Sequence, residues 1–288
     1  MKKIGFLAFF VVLTVGLYAQ NTSDFEIQGN DDGTMTILNY KGMAKDIVIP
    51  EKIFNMPVTR LREGAFSKKS LTKVTIPTTV TFIGDNTFSE NQLTGITIPA
   101  AVEYIGDNAF YKNQLANITI PKNVVTIGDS AFRNNSLTSV NIPDSVTYIG
   151  SHAFAQNNIT SVTIGNGVVY IGENAFYDGN YSGEKNKITT IILGTGIKYI
   201  GTDAFYSHRA SSITIPNSVV YIGARAFEPN TSNSLTSITI GKYVMLGRDI
   251  NTDSGAFNDN GDFDTIYKNN DKRGGKYTYA NSNWTYTP

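Results

Sequence analysis

The stretch Leu93-Thr94-Gly95-Ile96-Thr97-Ile98-Pro99, followed by Val102, Ile105-Gly106, Ala109-Phe110 and Asn113, decides the fold because it recurs. Aligned on its phenylalanine, the chain reads Phe66, Phe88, Phe110, Phe132, Phe154, Phe176, Phe205, Phe227 and Phe257. Five successive steps are 22 residues, and the next three are 29, 22 and 30. A fixed period in the twenties marks a solenoid, in which each repeat is one small unit that buries its apolar face against its neighbours.

The columns of the repeat show which side chains turn inward. Ile76, Ile98, Ile120, Ile142, Ile164, Leu193, Ile215 and Ile240 form one column, and Val74, Ile96, Ile118, Val140, Val162, Ile191, Ile213 and Ile238 another, two residues earlier. Alternation of β-branched residues predicts one short strand per repeat, paired in parallel with its copy in the next. Pro77, Pro99, Pro121, Pro143 and Pro216 follow directly and stop the strand, because proline has no N–H to give a ladder. Gly165, Gly194 and Gly241 take that place elsewhere. The second half, Val-x-x-Ile-Gly-Asp-x-Ala-Phe, turns the chain back. Glycines such as Gly84, Gly106 and Gly128 permit a positive φ or a close backbone approach at the bend. Asp85, Asp107 and Asp129 are placed to cap a short helical turn carrying Ala-Phe inward. Phenylalanines at one position in stacked turns meet as a spine.

The unit Leu-x-x-Ile-x-Ile-Pro-x-x-Val-x-x-Ile-Gly-x-x-Ala-Phe resembles that of the BspA-like, or treponemal-type, leucine-rich repeat family, over about Ile47 to Phe257. The segment from Ile47 to Phe66 is similar to the longer first repeat of that family. Where the family often has cysteine three residues after the phenylalanine, this chain has Lys69, Asn91, Asn113, Asn135, Asn157 and His208, which read as a structural asparagine ladder. The resemblance implies a leucine-rich repeat solenoid. It also implies a bacterial secreted or cell-surface interaction protein, with adhesion to host or neighbouring-cell proteins as its role.

Four segments are expected. Residues 1–19 carry Met1-Lys2-Lys3, the apolar run Ile4 to Gly16 and Leu17-Tyr18-Ala19, the three regions of a secretory signal peptide with cleavage after Ala19. The run is too short for an ordinary membrane span, and no second one follows. Residues 20–46 are a β-hairpin cap turning at Asp32-Gly33, where Asp31 and Asp32 fall short of a calcium loop. Residues 47–257 are the solenoid. Residues 258–288 are a C-terminal cap, with Tyr277, Tyr279, Trp284 and Tyr286 alternating about a turn as a second hairpin. Asp259, Asp262 and Asp264 crowd a glycine-bearing turn and read as that turn rather than a calcium site.

Several function classes lose support. Removing Lys2 and Lys3 leaves 22 basic against 24 acidic residues, a net charge of −2, which does not favour nucleic acid or an acidic membrane. With no cysteine there are no disulfides, thiolate metal sites or thiol catalysis. His152 and His208 lack metal-site spacing, and no Gly-x-Ser-x-Gly elbow occurs. Asp85, Asp107, Asp129 and Glu173 recur turn after turn, as residues serving the turn do, whereas a catalytic pair occurs once. The chain therefore reads as a non-enzyme without cofactor or metal.

Two surface columns and two insertions remain. The outward strand positions, Thr75, Thr97, Thr119, Asn141, Thr163, Ile192, Thr214 and Thr239, form a flat uncharged strip. The residues before Ile-Gly are Phe82, Tyr104, Thr126, Tyr148, Tyr170, Tyr199 and Tyr221, an aromatic column that either packs on itself or contacts a partner. Seven extra residues follow Phe176, including Tyr181, and three follow Phe227 at the same repeat position, where insertions often mark a binding side. The candidate contact residues are Tyr148, Tyr170, Tyr199, Tyr221, Tyr181, Thr119, Thr163 and Thr214. The expected partner is a protein, such as a host matrix or surface protein, with a glycan as second choice. The competing readings are a structural or assembly component of the envelope, and a carbohydrate-active solenoid enzyme, which requires a unique buried carboxylate pair in a groove.

Overall fold

The computed structural model describes residues 21–177, 186–232, 234–249, 253–258, 263–281 and 283–288. The signal segment 1–19, Tyr181 in the first insertion, and Asp259 and Asp262 lie outside the described residues.

The chain is a solenoid in which a typical turn contributes to two ladders instead of one. The first ladder is the Val-x-Ile column. It forms Asp46–Val48 with Lys73–Thr75, then Ser139–Ile142, Ser161–Ile164 and Thr190–Ile192, then Ser212–Thr214 and Ser237–Ile240, each set pairing in parallel and in register. The second ladder is built from the residue before each Ile-Gly and the isoleucine itself: Phe82–Ile83, Tyr104–Ile105, Thr126–Ile127, Tyr148–Ile149, Tyr170–Ile171, Tyr199–Ile200 and Tyr221–Ile222, ending at Met245–Leu246. It continues a sheet begun by the antiparallel hairpin Phe25–Gly29 and Met35–Tyr40 and by the parallel strand Met56–Leu61.

The second ladder explains the glycines. Each Gly N–H donates to the isoleucine carbonyl one turn below, as in Gly106 to Ile83 (2.9 Å), Gly128 to Ile105 (2.8 Å) and Gly150 to Ile127 (2.8 Å). A Cβ on any of the three would collide with the backbone of that lower turn, so close approach is what requires glycine here. The aspartates that follow do not cap a helix. The next residues, Asn86, Asn108, Ser130, His152 and Asn174, adopt φ of 54–58° and curl the chain left-handed before a helical turn can form. Each carboxylate instead reaches to the next turn: Oδ1 of Asp85 accepts the Asp107 amide at 2.9 Å, that of Asp107 the Asp129 amide at 2.7 Å, and that of Asp129 the Ser151 amide at 2.7 Å.

Between the ladders runs the spine. Successive rings from Phe66 to Phe257 stand 5.0–5.4 Å apart with planes within 19° of parallel, which makes them offset stacks. Tyr40 stacks on Phe66 at the first end. At the other end Phe263 meets Phe257 edge-on at 4.8 Å and is itself flanked by Tyr277 and Trp284. Phe263 opens a short helix, Phe263–Asn269, absent from the sequence reading. The hairpin Gly275–Ala280 with Asn283–Thr287 pairs antiparallel onto Ser237–Ile240 and ends that part of the first ladder.

The asparagine column is buried and bonded on both sides. Asn135 accepts the Leu115 amide at 3.0 Å and donates to the carbonyls of Phe110 (2.9 Å) and Phe132 (3.1 Å). Asn186 fills the same place after the first insertion, accepting the Ile159 amide and donating to Phe154 and Phe176. His208 substitutes with a ring: Nδ1 accepts the Ala210 amide at 3.0 Å, leaving Nε2 to donate to Phe227 O at 3.2 Å. Burial pushes this imidazole down to about 4, so it is neutral at physiological pH.

Candidate functional site

The second ladder sets Tyr148, Tyr170, Tyr199 and Tyr221 side by side in one register, because Ile149, Ile171, Ile200 and Ile222 next to them are buried and alternate residues face opposite ways. Two ring stacks form along the row, Phe82 on Tyr104 at 4.8 Å and Tyr148 on Tyr170 at 5.3 Å. Thr126 separates them. Tyr199 and Tyr221 keep the register without stacking on each other, and a Cβ on Gly247 would lie 2.6 Å from the Tyr221 hydroxyl.

The row is bordered by apolar side chains that sequence reasoning did not single out. Val125, Tyr148, Val169, Tyr199, Val220, Tyr221 and Met245 are each 36–49% exposed, a concentration of large exposed apolar residues along the second ladder. The column holding the three valines also contains Thr81, Glu103, Thr147 and Lys198, so no period flags it.

Electrostatics make this face a set of hydroxyl donors beside carboxylates. Partial burial, followed by the nearby charges of Asp85, Asp107 and Asp129, raises the Tyr104 phenol above its ordinary value. Burial and Asp129 do the same for Tyr148, and burial and Glu173 for Tyr170. The hydroxyls therefore stay protonated at neutral pH and above. Burial also raises the Asp107 carboxyl, with Asp129 and Asp85 adding to it and the Asp129 amide opposing.

The predicted threonines lie on the other ladder, across the proline turn, so the candidate residues divide between two surfaces. Thr163 lines a concavity of about 650 Å³ with Lys122, Asn141, Asp144, Asn166 and Ile192. Thr119 lines another of about 470 Å³ with Gly95 and Asn117. Thr214 is exposed on the strand Ser212–Thr214. After Phe227, the described part of the second insertion folds back onto His208, whose carbonyl accepts the Asn230 amide at 2.8 Å. A further contact set escaped sequence reading: Arg225 forks onto Asp203 at 2.8 and 2.7 Å and sits 5.9 Å above Tyr206, which stacks on Tyr177. Among the described residues no cluster of three metal-ligating side chains occurs, and no helix is long and apolar enough to cross a membrane.

The family model of the BspA type leucine rich repeat region matches residues 59–182 and 179–285, in six copies. The chain belongs to the BspA-type leucine-rich repeat family. Among solved structures, this BspA-type chain is similar to a leucine-rich repeat protein of Treponema pallidum, at 29% identity and a TM-score of 0.55, with 62% of this chain and 83% of that one covered. It is also similar to a leucine-rich cell surface protein of Faecalibacterium prausnitzii, at 26% identity and a TM-score of 0.53, covering 81% of this chain. The match spans 59% of the Faecalibacterium protein's own length. No curated protein matches the chain.

Proposed function

We propose that this BspA-type solenoid is an exported bacterial interaction protein that binds a protein partner, in adhesion to host or neighbouring-cell surfaces, through the outer face of its second ladder. The observation that carries this reading is the exposed row of Tyr148, Tyr199 and Tyr221 with Val125, Val169, Val220 and Met245. Exposed apolar side chains bordered by polar groups, here Asp129 and Glu173, have the composition of a protein contact surface. Tyrosines on a continuous ladder give rigid area with little entropy left to lose, and each brings a hydroxyl donor. Support also comes from the signal segment read at residues 1–19 and from the cell-surface relative in Faecalibacterium.

The test is binding of purified residues 20–288 to arrays of matrix proteins, bacterial surface proteins and glycans, followed by Tyr170→Ser combined with Tyr199→Ser. The double variant should lose at least ~2 kcal/mol of affinity for the bound protein, the range of contact hot spots. Unchanged affinity with a lowered melting temperature would sink this reading and make the row a packing device, leaving the threonine face as the better surface.

A further inference from the structure

At the N-terminal end of the tyrosine row the character of the face changes. Arg60 lies on the strand Met56–Leu61 with its neighbour Leu61 buried, and Arg62 follows, so both guanidiniums leave from the outer face, about 7 Å apart along the chain. Arg60 stands in register between Thr36 and Phe82. Its Cζ is 5.4 Å from the Phe82 ring centre, and the opposite face of Phe82 is covered by Tyr104. A concavity of about 350 Å³ opens here, lined by Arg60, Arg62, Glu63, Phe82, Asp85 and Tyr104 among others.

These two arginines differ from others in the chain. Arg225 is paired with Asp203 and Asp249, Arg248 with Asp253, and Arg273 with Asp271. Arg60 and Arg62 form no ion pair among the described residues, although Glu63 and Asp85 line the same concavity. The Arg60 guanidinium lies over the Phe82 ring with no hydrogen bond among the described residues, which leaves its N–H groups for a ligand, and a guanidinium fork suits two-point recognition of a carboxylate.

We propose that this pocket takes a single carboxylate of the protein partner, a glutamate or aspartate side chain on an extended segment that continues along Tyr104 toward Tyr148 and Tyr170. The inference rests on the tyrosine row being the partner-binding face, and Tyr104 belongs to both. Both faces of Phe82 are occupied, so this ring offers no platform to a sugar, and the guanidiniums are the pocket's recognition groups. Glu63 and Asp85 repel a polyanion. They favour one acid beside a basic or hydrogen-bond-donating residue. Asp85 accepts the Asp107 amide through Oδ1 and forms no ion pair with either arginine among the described residues.

The experiment follows the arginine Nε–Hε signals of residues 20–288 by NMR during titration with N-acetylglutamate methylamide, its glutamine counterpart, and glucuronate. The glutamate probe should shift the Arg60 and Arg62 signals saturably, and the glutamine probe should leave them in place. Arg60→Lys with Arg62→Lys, followed through the backbone amide signals of Phe82, Gly84 and Tyr104, should weaken glutamate binding about tenfold or more at unchanged melting temperature, because an ammonium keeps charge without the fork. Signals unmoved by glutamate, equal shifts with glutamine, undiminished binding by the lysine variant, or tighter binding of glucuronate would each overturn the proposal. The surface reading fails separately: if glutamate binds while Tyr170→Ser with Tyr199→Ser keeps full partner affinity, the pocket stands and the tyrosine face does not.

Discussion

The two ladders share the same turns and differ in continuity. The second ladder runs unbroken from Phe82–Ile83 to Met245–Leu246, whereas the first is split into separate sheets, with no strand pairing at 94–98 and 116–120. The stronger sequence pattern belongs to the weaker ladder. Val-x-Ile alternation repeats in every turn, yet Ile96 and Ile118 are only partly buried and a concavity opens between their segments. Periodicity reports which side chains face the core, and pairing needs a second condition, that backbones come close enough. In the second ladder glycine removes the Cβ that would keep turns apart, and the aspartates bind each turn to the next. In the first ladder nothing comparable enforces the spacing at Gly95.

The largest effect is expected where both ladders share support. Phe132 is fully buried between Phe110 and Phe154 at 5.2 and 5.3 Å, so Phe132→Ala should cost ~3–5 kcal/mol in urea unfolding through the cavity it leaves. Phe257 follows the longest step of the repeat, 30 residues after Phe227, where a looser fit is the expectation from spacing alone. The structure buries Phe257 as completely, against Phe227 and Phe263, which puts Phe257→Ala in the same range. A loss below about 1 kcal/mol at Phe132 would mean that the spine is not what unites the ladders.

Next in size is a direct attack on the continuous ladder. Gly106→Ala places a methyl group against the backbone of Gly84 and Asp85 and should cost toward the upper end of ~1–3 kcal/mol. If thermal melting shows the alanine variant as stable as the parent, close approach is not what keeps the second ladder intact.

What was legible follows from the same distinction. The spine, the buried columns and the family could be read because each is a repeated residue type at fixed spacing, from Phe66 through Phe257. The second ladder reads from sequence as a bend, since a two-residue strand such as Tyr148–Ile149 is too short to display a period of two. Asn186 stands ten residues after Phe176 instead of three, so spacing does not place it in the asparagine column, and its hydrogen bonds do. Of the candidate surface, the tyrosines were visible as a column. Val125, Val169 and Val220 share theirs with Glu103 and Lys198, and Arg60 sits in the longer first repeat where the register does not transfer. A contact pattern that does not repeat leaves no periodic signal in the sequence.

The end of the stack makes part of the stability depend on pH. Asp264 packs its carboxyl against Gly255, near the Ala256 and Phe257 amides, and both of its oxygens are buried without a hydrogen-bond partner of good geometry. Burial pushes this carboxyl up to about 6 from 3.8, against the opposing pull of Lys268 and the two amides. A folded value above the unfolded one means that the native state holds the proton more tightly. This group's contribution therefore becomes more favourable as pH falls through 6 toward 3.8, and its charge costs stability at pH 7. Asp264→Asn should raise stability at pH 7 by on the order of 2 kcal/mol, with the advantage shrinking as pH is lowered toward 4. An advantage independent of pH would show that the effect is packing, not ionisation.

The smallest expected change repairs the broken ladder. Gly95 has no atom within 4 Å of where its Cβ would stand, and its φ is not positive, so neither space nor conformation demands glycine. Ser139, Ser161 and Thr190 occupy the same column where the first ladder is paired. Gly95→Thr should therefore stabilise by roughly 0.5–1 kcal/mol, by restricting the unfolded chain and adding a β-branched side chain to a strand position. Hydrogen exchange at 94–98 and 116–120 should slow in the variant, as strand pairing extends across the gap. Opposite signs at Gly95 and Gly106 would show that one residue type plays two roles on the two faces. Destabilisation at Gly95 would mean that the gap is held open by something other than the missing side chain, and the account of why the ladders differ would fail at that turn.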